Sequence, residues 1–496
     1  MINIINHICV CIAALSLITS SSALKADDIP SSASPSFESI NKIDVNENEI
    51  DLFNWARHHG AKIADSIEIK NSPCGGRGLY AKRFIPVNTE LIQIPYNLQL
   101  GARQLADGTD VEMQTMARSL PWRYVMENEL FFVPLSIALA AERRKGTDSI
   151  FWPFLQSLPN NCVNAASGSS IDDVLSDLHI WAPHVAKKII QRRLSLQTLH
   201  DTICPKSLSI EEIRWATANV CSRSLIRKRI KELSSEQVNK IGIFCSSDHS
   251  RMLPIIDLVN HGSCELANVW VGHLSRDEDD TNDFSTSLKS IRDILPGEEL
   301  LFDYGGGNGK KISNDRLLLD YGFVLRDHMD HVSITLEEFS TAIEEIIGRD
   351  TLKDAPATDT ERLHSLVTTL IKQASKLQSD IPVVFTSNGE PTIPTLAIAV
   401  CMTCHDIDDL SSLLKVIPMT ENQNQDLSLL SNQIIEACSV MQKEFARYVL
   451  KVASGFAIAQ RSGMTESDSI DEFTVVCRKY SKFCRDMLLT VADMTR

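Results

Sequence analysis

An α+β fold is predicted for this chain, with short strands around a helical insert and an all-helical segment after them. Three observations predict it. Apolar and polar residues alternate at Ser66 to Lys70 and at Glu90 to Pro95, and short strand signals return between Met252 and Tyr304. Helical signals fill the interval from about Leu130 to Leu225. The last third keeps a helical period, which places Leu427, Leu430, Ile434, Met441, Phe445 and Val452 on one expected face. Strands and helices are grouped rather than alternating, so a βαβ architecture is not expected.

The elements follow in order. Ile8 to Ile18 is apolar and leads into small residues through Ser22 and Ala23. That length suits the core of a signal peptide and is short for a membrane span, although the preceding segment lacks Lys and Arg. Residues 1–26 are therefore expected to be a leader that is removed, after which no membrane span remains. Residues 27–65 form a polar, acidic linker and then a short helix from Asp51 to Ala64. The strand-bearing domain is expected over 66–330, with its insert at about 101–245, and the helical domain over 331–496. Within the insert, Ser209 followed by Glu212 forms a capping box, after which Ile213, Ala216 and Val220 share one face. An acidic loop, Arg276 to Asp283, interrupts the later strands.

Composition narrows the function. The 496 residues suit two or three domains, and 43% hydrophobic with 23% charged residues suits several buried cores. A formal net charge of −15 argues against nucleic-acid phosphates as partners and is compatible with a basic protein substrate. Cys9 and Cys11 lie in the leader, which leaves 11 of the 13 cysteines scattered thinly through the rest, and there is no Asn-x-Ser/Thr sequon. A leader for the secretory route, with the mature protein working in a reducing compartment, reconciles these facts; an organelle such as a plastid would be one such destination.

Several motifs fail on inspection. The segment Tyr304 to Lys310 resembles a phosphate-binding loop, but Tyr304 stands where its first glycine belongs and Lys311 where Ser or Thr belongs. Cys401 and Cys404 have no second pair at zinc-finger spacing and read as buried structural cysteines. Arg227 to Lys231 reads as a solvated helix face rather than a nuclear signal. No metal site is expected.

Three segments carry more. Gly76-Arg77-Gly78-Leu79 lies between two short strands, where glycines let backbone approach a ligand and where an ordinary hairpin turn fits as well. Leu253 to His261 runs apolar into Asp257, Asn260 and His261; a buried Asn–His pair requires hydrogen-bond partners, from an adenine ring or from a strand-end turn. Gly297 to Gly305 and Asp320 to Phe323 each hold a Tyr–Gly pair, Tyr304 and Tyr321, able to line a narrow slot or to fill a core.

Taken together and in this order, the motifs resemble the SET domain. The large insert resembles that of the Rubisco large-subunit lysine methyltransferase and its relative, the actin-histidine methyltransferase. Phe151 to Pro159 and Trp215 to Arg223 look like further segments of that class. The resemblance covers about Ile67 to Leu325 and extends loosely into the last third, which would then be a substrate-binding domain.

The resemblance implies an S-adenosylmethionine-dependent protein methyltransferase, monomeric, acting on a protein substrate. It implies that Arg77, Gly78 and Leu79, with Glu129, Leu130 and Phe131, line the cofactor. Arg223 would meet the methionine carboxylate, and Asp257, Leu258, Val259, Asn260 and His261 would cradle the adenosine. Tyr304 would be the active-site tyrosine, bordering both cofactor and acceptor, and Tyr321 would close the lysine channel. Histidine methylation is the competing activity, but Leu225 stands where the actin-histidine enzyme has an Asn that holds the imidazole. A non-catalytic binding protein on a SET scaffold is the alternative from another class.

Overall fold

The computed structural model describes residues 48–73, 76–101, 132–162, 164–166, 171–203, 208–226, 250–274, 285–305, 312–326, 331–348, 382–386, 388–402, 427–461 and 472–493. The expected leader, the acidic loop, Arg227 to Lys231, Cys404 and Glu129 to Phe131 lie outside them.

Helix α1 (Asn48–His58) stops short of the expected Ala64. Gly60 follows at φ +94°, a conformation that side chains rarely adopt, and the chain turns into strand β1 (Lys62–Ile63). Both alternating segments are strands, β2 (Ile67–Asn71) and β4 (Glu90–Ile94), but they belong to different sheets. β2 pairs antiparallel with β3 (Arg77–Ala81), Asn71 opposite Arg77. β4 sits between β1 and β10 (Ser285–Ser290), and β10 pairs on its other side with β9 (Val269–Leu274). A third sheet joins β5 (Leu100–Gly101), β7 (Ser250–Met252) and β6 (Ser224–Ile226). The fourth is the shortest: β8 (Asn260–His261) runs parallel to β11 (Leu301–Phe302), with Leu301 opposite Asn260 and Phe302 opposite His261.

The insert contains α2 (Val133–Arg144), α3 (Trp152–Ser157), α4 (Ile171–Trp181), α5 (Pro183–Ile203) and α6 (Ile210–Arg223). The capping box forms as the sequence predicts: Glu212 N donates to Ser209 Oγ at 3.2 Å, and Ser209 N to Glu212 Oε2 at 2.8 Å. Ile213, Ala216 and Val220 are buried, and α6 passes directly into β6.

Among the described residues, the last third is helical apart from one ribbon. β12 (His331–Thr335) pairs antiparallel with β13 (Pro382–Thr386), accompanied by α7 (Leu336–Gly348), α8 (Ile393–Met402), α9 (Leu427–Ala437), α10 (Val440–Ala459) and α11 (Glu472–Asp493). The expected continuous face breaks at Ser439, whose hydroxyl caps α10 by accepting from Gln442 N at 3.2 Å. The break resets the helical phase. Met441 is 81% exposed and Phe445 38%, while Ala446, Leu450, Ala453 and Ala457 face the core.

Among the described residues, two apolar cores result. One gathers Leu79, Leu91, Ile92, Phe154, Val220, Leu258 and Leu300 from the strands and the nearby helices. The other gathers Phe339, Phe385, Leu450, Phe473 and Leu488 with Leu178, Trp181, Val185 and Ile189 of the insert. Helix α5 serves both, because Leu196 and Leu199 at its far end pack in the first core. No described helix is long and apolar enough to cross a membrane.

Candidate functional site

The site grows from the β8–β11 pairing. Parallel register brings Asn260 and His261 beside Leu301 and Phe302, so Tyr304, two residues beyond β11, reaches the His261 ring. Tyr304 N donates to His261 Nδ1 at 3.3 Å, which leaves the ring's proton on Nε2. The ring centroids lie 5.1 Å apart. Tyr321 stacks on Tyr304 at 4.6 Å and 32°, and Phe323 completes the group at 6.2 Å from both Tyr321 and His261. The two tyrosines that the sequence singled out, 17 positions apart, therefore meet.

The Tyr304 hydroxyl donates to the Val259 carbonyl at 3.0 Å. Its proton is engaged and its lone pairs remain to accept. Burial pushes the phenols of Tyr304 and Tyr321 well above their ordinary pKa, so both stay neutral. A neutral phenol with its proton engaged in this way can accept a hydrogen bond but cannot serve as a phenolate base.

Beside this aromatic group lies a polar cluster. Arg77 starts β3, its side chain donating to the Ser157 carbonyl and its own carbonyl accepting from Asn260 Nδ2 at 3.1 Å. Asn260 Nδ2 also donates to Glu299 Oε1 at 2.7 Å. Both Nδ2 bonds of Asn260 thus go to the protein, and its Oδ1 remains an acceptor. Gly78 permits this approach: a Cβ there would lie 2.2 Å from Glu299 Oε1 and 3.0 Å from Asn260 Nδ2. Leu79, Leu258 and Val259 are buried in the core.

Arg223, the last residue of α6, donates through Nη1 to Asp257 at both the backbone oxygen (3.3 Å) and Oδ2 (3.2 Å). Asp257 rides on a single 3₁₀ turn, Ile256–Leu258, preceded by Ile255 at φ 71°, a strained value for a β-branched residue. Burial pushes the Asp257 carboxyl up, and Arg223 and Arg77 offset this only in part. Among the described residues, Arg223 Nε and Asp257 Oδ1 are buried with no hydrogen-bond partner. A half-satisfied ion pair of this kind suits a ligand end that carries both charges, as an amino acid does.

Sequence reasoning missed Glu299. Its carboxylate gathers Asn260, Tyr80 (hydroxyl to Oε2, 2.9 Å) and Ser72 (3.0 Å), while adjacent Glu298 turns outward to Arg292. Nothing in the Glu–Glu doublet says which member points inward. Phe323 stood in the motif without a role. Burial pushes the Cys221 thiol up to about 12, and the Cys264 thiol, bonded to Asp303, is also raised, so neither offers a thiolate nucleophile. Among the described residues, no three His, Cys, Asp or Glu converge as a metal site would require.

Residues 76–305 match the SET domain family. That stretch runs from the start of β3 through the insert to Tyr304 and Gly305. Beyond that domain, nearly the whole chain shares a fold with Rubisco LSMT. A structure of Rubisco LSMT bound to AdoMet superposes with TM-score 0.56 at 15% identity, covering 91% of this chain and 92% of that chain. A structure bound to sinefungin and monomethyllysine gives 0.54 at 16% identity, with the same coverage. One of the LSMT SET domain bound to lysine and AdoHcy gives 0.53 at 15%, covering 90% of each chain. No curated protein matches the sequence.

Proposed function

We propose that this protein is an S-adenosylmethionine-dependent methyltransferase that acts on a protein lysine. The observation that carries the reading is the junction of the neutral Tyr304–Tyr321 pair with the Asn260–Glu299 and Arg223–Asp257 clusters on either side of β8. The folds found bound to AdoMet, lysine and monomethyllysine support it.

In this reading the cofactor supplies an electrophilic methyl group on a sulfonium, which requires no metal. The residues here fit such a ligand: Arg223 Nε and Asp257 Oδ1 await a zwitterionic amino-acid end. Asn260 Oδ1, the His261 backbone and the glycine-opened edge of β3 would hold the remainder. Glu129, Leu130 and Phe131 stay assigned to the cofactor by resemblance alone.

The acceptor must arrive uncharged, yet only about 1 in 2,500 free lysines is neutral at pH 7. Burial in an aromatic slot disfavours the ammonium, just as it disfavours the phenolates of Tyr304 and Tyr321. The Tyr304 oxygen, its proton held by Val259, can accept one amine N–H and point the nitrogen lone pair away from itself. Tyr321 and Phe323 restrict the remaining freedom, and such alignment is worth several kcal/mol. Leu225 offers no hydrogen bond to an imidazole, which favours lysine over histidine.

The test is incubation of the full chain with methyl-labelled cofactor and lysate proteins under chelation. Label on protein supports the reading; cofactor binding without any transfer would favour a binding protein on this scaffold.

A further inference from the structure

We propose that Arg192 and Asn164, both from the helical insert, are positioning residues that hold Tyr321 against Tyr304 by gripping the turn that carries it. The proposal deepens the function proposed above and rests on it.

Tyr321 ends an unusual segment. One α-turn, Asn314–Arg316, passes into a π-helical turn, Leu317–Tyr321, closed by Gly322 at φ 75°. A π-turn widens the helix by a residue and is seldom kept without outside support. At its C-terminal end the closing amides serve only the earlier carbonyls: Gly322 N donates to Leu317 O, the i→i+5 bond, and to Leu318 O at 3.2 Å, and Phe323 N donates to Leu317 O at 3.4 Å. The carbonyls of Leu319 and Asp320 are left over, and the insert takes both.

Arg192, on α5, donates from one nitrogen to Leu319 O at 2.9 Å and to Asp320 Oδ1 at 2.8 Å. Ala165 N adds a bond to Leu319 O at 3.3 Å. Asn164, itself fully buried, donates from Nδ2 to Asp320 O at 3.0 Å and to Ala218 O on α6 at 2.8 Å, while its Oδ1 accepts from Ala166 N at 3.0 Å. Arg316 Nε holds the second Asp320 oxygen at 3.3 Å. The residue just before Tyr321 is thus fixed at its side chain, its own carbonyl and the carbonyl before it. Arg192 also lies 5.5 Å over the Phe132 ring, which immediately follows the segment assigned to the cofactor.

The consequence is geometric. If the turn slipped from i→i+5 to i→i+4 pairing, Tyr321 would move by one helical step, about 100° around the axis, and leave Tyr304. The insert therefore does more than fill space between strands, because it sets the wall of the acceptor slot.

The test uses Arg192→Met, which keeps most of the stem but loses the charge and donors, and Arg192→Lys, which keeps the charge. Amide hydrogen exchange over residues 317–323 is measured alongside kcat, KM and cofactor Kd. Arg192→Met is expected to speed exchange in that turn and to lower kcat about 10- to 100-fold, with cofactor Kd changed less than about 3-fold. Arg192→Lys should recover part of both effects, and if the Met variant does not fold, the Lys variant carries the same measurements. In a Tyr321→Ala background, Arg192→Met should cost less than about 2-fold more, since the ring it positions is gone. Unchanged exchange in the turn, or an undiminished further loss in the Tyr321→Ala background, overturns the proposal. Should the wild type transfer no methyl group, the functional reading falls, while the exchange comparison still decides whether Arg192 holds the turn.

Discussion

Replacing Tyr304 by Phe keeps the ring against His261, Tyr321 and Phe302 and removes one hydroxyl. In the structure that hydroxyl has one protein partner, the Val259 carbonyl at 3.0 Å. Losing a neutral hydrogen bond of this kind costs about 0.5–1.5 kcal/mol of stability. The melting temperature should therefore fall by no more than about 6 °C. The rate should fall much further. If the oxygen accepts from the amine only as the methyl group transfers, one orienting contact of the transition state disappears, worth about 3–4 kcal/mol or roughly 10²–10³-fold in kcat. Cofactor Kd should change less than about 3-fold, because the groups assigned to the amino-acid end are Arg223 and Asp257. The hydroxyl is held well above its ordinary pKa by burial, so it does not ionise in the working range and the pH–rate profile should keep its shape in the variant. Single-turnover transfer with cofactor titration reads all of this. Full activity in Tyr304→Phe would refute the reasoning. Loss of a titrating limb in the pH profile would make Tyr304 a base, contrary to its bond to Val259. Equal losses of cofactor affinity and rate would move it into the cofactor site.

Two other outcomes follow from the same geometry. Gly78→Ala sets a Cβ at 2.2 Å from Glu299 Oε1, so Glu299 must withdraw from Asn260; cofactor affinity by calorimetry should fall about 5- to 150-fold, and an unchanged Kd would remove the β3 edge from the cofactor site. Burial alone would push Asp315 up, but His184 on α5, His331 and the Tyr480 hydroxyl on α11 hold it well below the carboxylate range. A carboxyl with a lowered folded pKa adds stability above its unfolded pKa of about 4 and loses it as the pH falls below that. Asp315→Asn should thus be less stable than wild type to urea at pH 7, with the gap closing toward pH 3; a gap independent of pH would contradict the ion-pair account.

The site was legible wherever a motif is local. Asn260, His261, Tyr304 and Tyr321 come together because short strands and one turn place them, and Gly78 leaves the room that Asn260 and Glu299 occupy. Arg223 came from the resemblance alone, since nothing in the helical spacing of α6 says that its last residue meets Asp257. Glu299 was not legible, since its inward direction depends on which face of the chain near β11 meets β3. Arg192 and Asn164 were hidden more deeply, because they serve carbonyls left over by a π-turn that no apolar periodicity announces. The face of α10 failed on local grounds: Ser439 caps a new helix and resets a phase that the spacing of Ile434, Met441 and Phe445 had carried across it. The β12–β13 ribbon escaped notice for the reason short strands often do, its residues being as apolar as those of the helices around it.

The most direct measurement is the chemical identity of the product. The full chain is incubated with deuterated-methyl cofactor and a lysate stripped of its own methyltransferases, and labelled peptides are fragmented to locate the mass. Deuterated methyl groups are expected on lysine Nζ, lost when Tyr304 is Phe and insensitive to chelation. Label on histidine or any other side chain, or none on protein despite bound cofactor, would contradict it.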